Sequence, residues 1–533
     1  MRPCLIHHLL EESCARHPDK ICLVHHDHVQ TYRQTLAQSR TLQTALSRCG
    51  LQPHEPVGLL LDHSLELVNA IFAVLLARGV FVIINPILKP EQAAHIVRDC
   101  RIRTLITAPT TVAPFATTLK EAGITTHVLV RHGPASGLTR EIHLDPTPSD
   151  PIPSPPTAEN ITDDPSHIIY TSGSTGWPKG IVVSHRNTID GARIVSSYLG
   201  LRPDDRLISV LPLNFDYGLN QLINCVYLGA TLILHRFFMP NDLLNLLERE
   251  KITVFAGMGP IWLELFNPKT SNPTQKRDFS SLRVITNSGG SLAVPLVQRL
   301  RQLFADSRLF LMYGLTEAFR STYLDPDQLD QRPDSIGKAI PGVEIIVIHA
   351  SGRRCLPGEE GELVHRGALI TKGYWNQPEA TRQVFRPHPL LDPDNAHLET
   401  VVFSGDTVRM DAEGFLYYVG RRDLMIKTKG YRVSPTEVES LILALEGIGG
   451  CVATGYAADD KINLRVFVTF TSPDMDRQRL TLLCRQTLPF YLRPDDIVVV
   501  DRFPLTANGK IDRNRIINDY HPASTPPQDS AHG

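Results

Sequence analysis

The chain reads as an α/β protein: a large N-terminal domain of parallel, helix-covered sheets with a β-rich subdomain, then a small mobile α+β C-terminal domain. Three observations predict this. Short β-branched runs alternate with segments of helical period, the texture turns to hairpins after Gly337, and a separate helix–strand set begins near Arg421. At 533 residues the chain exceeds what one hydrophobic core usually supports, so two or more domains are expected.

In chain order, apolar residues recur at helical spacing through Leu42, Ala45, Leu46 and Cys49, and again through Leu65, Val68, Ile71, Phe72 and Leu75. Strand-like runs interleave with them at Val57 to Leu61, Val80 to Ile84, Thr104 to Thr107 and Thr126 to Val130. Residues 145–164 hold a run of prolines and small polar residues, a solvated loop by composition. Alternation resumes with a helix over Asp242 to Arg249, a strand over Ile252 to Ala256, a strand over Arg283 to Asn287, a helix over Ala293 to Phe304, and a strand over Leu309 to Tyr313. Hairpins follow at Val343 to His349, Gly361 to Arg366, and Val408 to Val419, turning at Asp411 to Gly414. The domains expected are 1–420, with the β-rich part at about 338–420, and 421–520, with a disordered tail at 521–533.

Composition excludes several function classes. With 54 basic against 56 acidic residues and a net charge of −2, there is no surplus to neutralise nucleic acid or anionic lipid. Nine scattered cysteines form no Cys-x-x-Cys pair and no zinc-spaced cluster, which fits reduced thiols in a cytoplasmic protein. His7, His8, Glu11, Glu12 and Arg16 interrupt the N-terminal apolar positions, unlike a signal peptide, and the window Ala70 to Ala77 is too short to span a bilayer. Neither nucleic-acid binding nor membrane insertion is expected.

Chemistry concentrates first at Tyr170 to Lys179, a loop between two apolar strands. Thr171, Ser172, Ser174 and Thr175 supply hydroxyls, Gly173 and Gly176 free the backbone to turn its N–H groups inward, and Lys179 adds a point charge. Such a loop holds phosphate without recognising a base. It is not a P-loop, because the position five after Gly173 is Pro178, and no Gly-x-Gly-x-x-Gly opens a helix nearby. A Ser/Gly linker is the bland alternative, but linkers rarely join one apolar strand directly to another.

Further signals sit at strand ends and turns. Tyr313-Gly-Leu-Thr-Glu317 presents an aromatic face, a hydroxyl and a carboxylate suited to Mg2+. Asp406, in Ser404-Gly-Asp406, could accept two ribose hydroxyls. Gly420-Arg-Arg-Asp423 and Lys429-Gly-Tyr-Arg432 open the third unit, and Lys510, after Asn508-Gly509, lies where a mobile turn could carry it into a distant site. Each has an ordinary alternative: Lys510 on a surface turn, Asp423 as a cap, Arg421 as a solvated charge. His185 reads as a packed residue rather than a catalytic one, and His7, His8, His25, His26 and His28 as solvated surface.

Taken together, the 170–180 loop, Tyr313 to Glu317, Gly373-Tyr-Trp-Asn376, Ser404 to Asp406, Gly420 to Asp423 and Asn508 to Lys510 resemble the ordered motif set of the adenylate-forming superfamily. That superfamily includes acyl- and aryl-CoA synthetases, peptide-synthetase adenylation domains and luciferase. The likeness runs from about Phe72 to Arg515.

What the resemblance implies is an AMP-forming ligase using ATP and Mg2+. The Thr171 to Lys179 loop would close over the ATP phosphates. Asn287 to Gly290, including Ser288 and Gly289, would line the adenine with Tyr313. Thr316 would meet the α-phosphate and Glu317 the Mg2+, while Asp406, with Arg421 beside it, would hold the ribose. Arg432 joins the nucleotide-facing set. Asp423 matches the hinge of the small domain, and Lys510 the lysine bridging substrate carboxylate and α-phosphate. The acyl pocket would contain Phe215, Asp216 and Tyr217. Phe-Asp at this place occurs in amino-acid-activating members, where the Asp pairs with the α-ammonium, whereas Lys429 to Glu439 is closer to the acyl-CoA synthetase form. The segment Phe215 to Gln221 also resembles bacterial acyl-CoA ligases found with exosortase systems. Expected is a free-standing acyl-CoA synthetase acting on a carboxylic acid, ATP and CoA. The alternatives are an enzyme loading a separate carrier protein in trans, no carrier domain following Asp512, and a nucleotide-binding protein without turnover.

Overall fold

The computed structural model describes residues 4–129, 141–143, 160–171, 178–268, 270–273, 275–421, 424–429, 431–458 and 461–520. Two sheets and their helices make the large N-terminal domain, and a three-stranded sheet with its helices makes the small C-terminal one.

The first large sheet has seven strands. Pro56–Leu60 pairs in parallel with Val80–Ile83 and with Thr104–Thr107, each run of β-branched and aliphatic residues being buried on both faces as a covered parallel sheet requires. Its far edge is antiparallel: Pro165–Thr171 pairs with Lys179–Ser184, register Thr171↔Lys179. The helix Leu65–Leu76 is capped by Ser64, whose hydroxyl accepts the Leu67 N–H, and is buried almost throughout.

The second sheet has 14 strands. Its parallel core includes Arg206–Ser209, Val254–Gly257, Val284–Asn287 and Arg308–Tyr313, neighbours in that order. From Thr322–Leu324 onward the pairing is antiparallel, and the hairpin-rich strands up to Leu416–Arg421 continue this same sheet. The turn expected at Asp411 to Gly414 is present, with the Asp411 N–H donating to the Phe415 carbonyl at 2.9 Å and Gly414 at φ +84°. The C-terminal domain stacks Ile448–Ala458, Lys461–Phe470 and Asp496–Val499 beneath Pro435–Leu443 and Arg477–Thr487.

The N-terminus departs from expectation. Ile6–Arg16 is a helix packed on the core through Ile6, Leu9 and Leu10. His7 is consequently not solvated: burial pushes its pKa down to about 3. His185 is fully buried and its Nδ1 accepts the Ile6 N–H at 3.2 Å, the packed role expected of it. Among the described residues no helix is long and apolar enough to cross a membrane. The Pro-rich residues 144–159 and the tail 521–533 lie outside the described residues.

Candidate active site

The site gathers where the parallel strands of the second sheet end. Val284–Asn287 delivers Ser288, Gly289 and Gly290, and Arg308–Tyr313 delivers Tyr313 and the turn to Glu317. Asn287 is fixed from both sides: its Oδ1 accepts the Trp262 Nε1–H at 3.0 Å, and its Nδ2 donates to the Gly290 carbonyl at 2.9 Å. Gly289 has φ +84°, and a Cβ there would lie 3.2 Å from Met258 Sδ and 3.3 Å from Lys510 Cε. The floor at this strand end therefore stays bare backbone.

Phe215 precedes the helix Asp216–Leu228, placing Asp216 in its first turn, where a carboxylate is favoured by the helix dipole. Gly218 allows the helix to start flush against the chain before it, since a Cβ would lie 2.2 Å from the Pro212 carbonyl oxygen. The Tyr217 hydroxyl donates to the Thr286 carbonyl at 2.9 Å, locking the aromatic floor of the pocket. Burial raises the Asp216 pKa above the usual carboxylate range; Arg320, Lys510, the Tyr217 N–H and the Thr316 hydroxyl oppose it. Beside Asp216 and Thr316 opens a cavity of about 30 Å3, also bordered by Leu219, Ile223 and Phe319.

Lys510 reaches this pocket from the other domain. Its Nζ stands 5.0 Å from the centre of the Phe215 ring. Two polar contacts seat the turn that carries it: Asn214 Nδ2 donates to Asn508 Oδ1 at 2.7 Å, and Asn85 Nδ2 to the Ala507 carbonyl at 2.9 Å. Asn85 Nδ2 also donates to Asn214 Oδ1 at 3.1 Å. Both asparagines lie on the large domain, so the three contacts form one clamp.

A second group lies beside the first. Tyr313 donates to Asp406 Oδ2 at 2.5 Å, and Arg421 Nε stands 3.8 Å from Asp406 Oδ1, its strand neighbour in register. Burial and the adjacent carboxylate hold the Tyr313 phenol well above its ordinary pKa, so it stays a donor. Glu317 forms a third group: its Oε1 accepts from the Tyr374 hydroxyl at 2.5 Å, and its carbonyl accepts the Thr371 N–H and hydroxyl, each at 2.9 Å. Lys179 Nζ is 5.6 Å from the Tyr374 ring centre, which brings the strand after the loop alongside Glu317. Gly373-Tyr-Trp-Asn376 thereby has a visible structural purpose.

Ser172, Gly173, Ser174, Thr175, Gly176 and Asp423 lie outside the described residues. Arg432 belongs to the hairpin Ile426–Thr428/Tyr431–Val433 of the small domain, and its side chain is likewise outside them. Arg320 escaped sequence reasoning. It is 2% exposed, donates through Nη1 to Ser288 Oγ at 2.5 Å, and lies over the Tyr217 ring at 4.8 Å. The available signal was an arginine inside the short run between the Glu317 turn and the strand Thr322–Leu324.

Known proteins share this architecture. The AMP-binding enzyme model matches residues 10–375, and the AMP-binding enzyme C-terminal domain model matches 437–510. Tyrocidine synthase 3 of Brevibacillus parabrevis is 27% identical over 95% of this chain, which spans 8% of that protein; phosphinothricin tripeptide synthetase PhsC of Streptomyces viridochromogenes is 28% identical over 96%, the chain spanning 45% of it. Among solved structures, the anthranilate CoA ligase AuaEII in complex with anthranoyl-AMP has a TM-score of 0.84 at 26% identity, covering 96% of each chain. The O-succinylbenzoate coenzyme A synthetase MenE of Bacillus subtilis, in complex with AMP, has a TM-score of 0.80 at 25% identity, covering 95% of this chain and 97% of its own. The strand-end floor, the two-domain layout and these matches agree: the chain belongs to the AMP-binding enzyme family and is an AMP-forming, adenylating ligase of the adenylate-forming superfamily.

Proposed function

We propose that this ligase adenylates a small carboxylic acid with ATP and then transfers the acyl group to the thiol of CoA. The observation that carries the reading is Lys510 seated over Phe215 by the Asn85–Asn214–Asn508 clamp, a cation delivered by one domain into the acyl pocket of the other. A carboxylate meeting a polyanion needs charge neutralisation and alignment more than a general base. Lys510 neutralises the attacking carboxylate and the phosphate it meets, and Lys179 holds charge on the pyrophosphate that leaves. Tyr313 and Asp406 suit the base face and ribose hydroxyls of the nucleotide. The acyl carbon is then open to attack by thiolate sulfur, with AMP departing.

The donor set fits Mg2+ through oxygen: Glu317 keeps a second carboxylate oxygen beyond the one taken by Tyr374. Bound there, the ion would supply charge neutralisation on the phosphates. Tyr374 holds the Glu317 carboxylate in one orientation, and Thr371 fixes the Glu317 backbone.

CoA as acceptor is supported by the ligases named for CoA at 25% identity or above. Loading of a separate carrier protein is the second reading. It is favoured by Asp216, a half-buried acid bordering the cavity, and by the tripeptide synthetase among the relatives. Acid-dependent ATP–pyrophosphate exchange, followed by thioester formation with CoA and with purified carrier proteins, separates the two. Thioester on CoA alone supports the first reading, and thioester on carrier alone overturns it.

A further inference from the structure

Against the rings of Tyr217 and Phe319 lies a cation that adenylation, as proposed above, leaves unused. Arg320 follows the Glu317 turn and is nearly inaccessible at 2% exposure. Its guanidinium is sandwiched against aromatic faces, 4.8 Å from the Tyr217 ring centre and 4.9 Å from that of Phe319. One nitrogen, Nη1, donates to Ser288 Oγ, while Nε is buried and makes no hydrogen bond among the described residues. Asp216 feels its charge but makes no ion pair with it, and Lys510 is a second cation nearby. A desolvated guanidinium whose protein partners are one hydroxyl and two ring faces is left short of acceptors. Elsewhere a partly buried arginine is given a carboxylate: Arg513 donates to Glu439 at 2.7 Å.

Its place fixes what could complete it. Ser288 is the first residue beyond the strand Val284–Asn287, so Arg320 lies at the strand-end floor, and its charge and that of Lys510 both act on Asp216. A planar guanidinium favours a carboxylate, which can take two of its N–H groups at once. The cavity of about 30 Å3 bordered by Asp216 and by Phe319, the ring Arg320 lies against, has room for a couple of waters rather than a long acyl chain. We propose that Arg320 is a specificity-determining residue that receives a second, distal carboxylate of the acid, so that the preferred substrates are short dicarboxylic acids. Lys510 would take the carboxylate that reacts and Arg320 the one that does not, while Asp216 decides whether an amino substituent is accepted as well. This assignment rests on the adenylating-ligase reading.

Two matched pairs test it by ATP–pyrophosphate exchange on the full chain: succinate against butyrate, and aspartate against 2-aminobutyrate. Within each pair the shape is similar and only the distal carboxylate changes. The expected result is that at least one dicarboxylate exceeds its methyl counterpart by roughly 10-fold or more in kcat/KM. Arg320→Met should pull that ratio towards one with the KM for ATP unchanged, and Arg320→Lys should restore part of it. A loss of general folding would lower both members of a pair alike and leave the ratio untouched, and the wild-type ratio stands whether or not the variants fold. A ratio at or below one in the wild type, or one that persists in a folded Arg320→Met protein, overturns the assignment. Exchange with octanoate or benzoate but with none of the four acids overturns it too while leaving the ligase reading intact; exchange with no acid removes both.

Discussion

Replacing Asn214 by Ala tests whether the clamp, rather than Lys510 alone, sets the adenylating arrangement. The change removes the Asn214–Asn508 hydrogen bond of 2.7 Å and the Asn85–Asn214 bond of 3.1 Å, and leaves Asn85–Ala507 in place. Both bonds are partly buried, and a net hydrogen bond contributes about 0.5–1.5 kcal/mol, so the docked state should lose about 1–3 kcal/mol. At about 1.4 kcal/mol per factor of ten, adenylation should fall roughly 5- to 140-fold if the docked state is a minority species. The assay is acid-dependent ATP–pyrophosphate exchange alongside thioester formation from supplied acyl-adenylate. The second half-reaction should be unchanged, because attack on a supplied acyl-adenylate does not need Lys510 to neutralise a free carboxylate. Equal losses in both halves would rule out this role for the clamp, as would exchange at the wild-type rate.

Four further outcomes follow from the same geometry. Lys510→Ala should abolish adenylation while thioesterification of supplied acyl-adenylate survives; equal loss in both would show that the lysine does not act in the first step alone. Tyr374→Phe removes the 2.5 Å hydrogen bond that orients Glu317 and should raise the Mg2+ concentration for half-maximal exchange about 10-fold, read by titrating the ion. Asp205→Ala strips Arg283 of its carboxylate partner and the Arg202 N–H of its 2.6 Å acceptor at a 2%-exposed position, and should cost about 3 kcal/mol of unfolding free energy in urea. Acid should destabilise the fold from pH 6.5 downward: burial lowers His167 to about 3 and His365 to about 4, so the folded protein keeps these rings neutral while the unfolded chain takes up protons. Stability is then complete above pH 6.5 and falls by up to about 1.4 kcal/mol per ring and pH unit on the way down. A urea midpoint that stays flat between pH 7 and 5 would contradict this.

Much of the fold was legible because its local signals agree. Thr104–Thr107 coincides with a run of β-branched residues, and Leu65–Leu76 carries both an apolar period and the Ser64 cap. The helix Asp216–Leu228 was not legible for a physical reason: residues Tyr217 through Val226 are all buried, so no polar face gives it a period. The hairpin-rich residues gave no hint of sharing a sheet with the parallel strands, since that joint runs through Ser335–Ala339, whose register shifts mid-strand.

The site divides in the same way. Tyr313, Glu317, Asp406 and Lys510 stand out as residue types at strand ends and turns, but their pairing spans long stretches of chain. Tyr313 and Asp406 are 93 residues apart, and Asn214 and Asn508 are 294 apart. Neither asparagine announces itself, because an Asn in a turn is ordinary turn chemistry. Arg320 was hidden because an arginine among small residues reads as solvent-facing, and only burial between two aromatic rings makes it unusual. His7 misleads for the complementary reason. It looks polar in sequence, yet it sits on a helix whose neighbours Ile6, Leu9 and Leu10 pull it inward.

Adenylation itself stands or falls on ATP–pyrophosphate exchange by the wild-type chain, run with and without each acid of a panel spanning dicarboxylic, fatty, aryl and amino acids. Exchange should require both an acid and Mg2+, and should disappear in Lys510→Ala. A protein that binds ATP yet exchanges no pyrophosphate with any of these acids would show that the chemistry assigned to the site is absent.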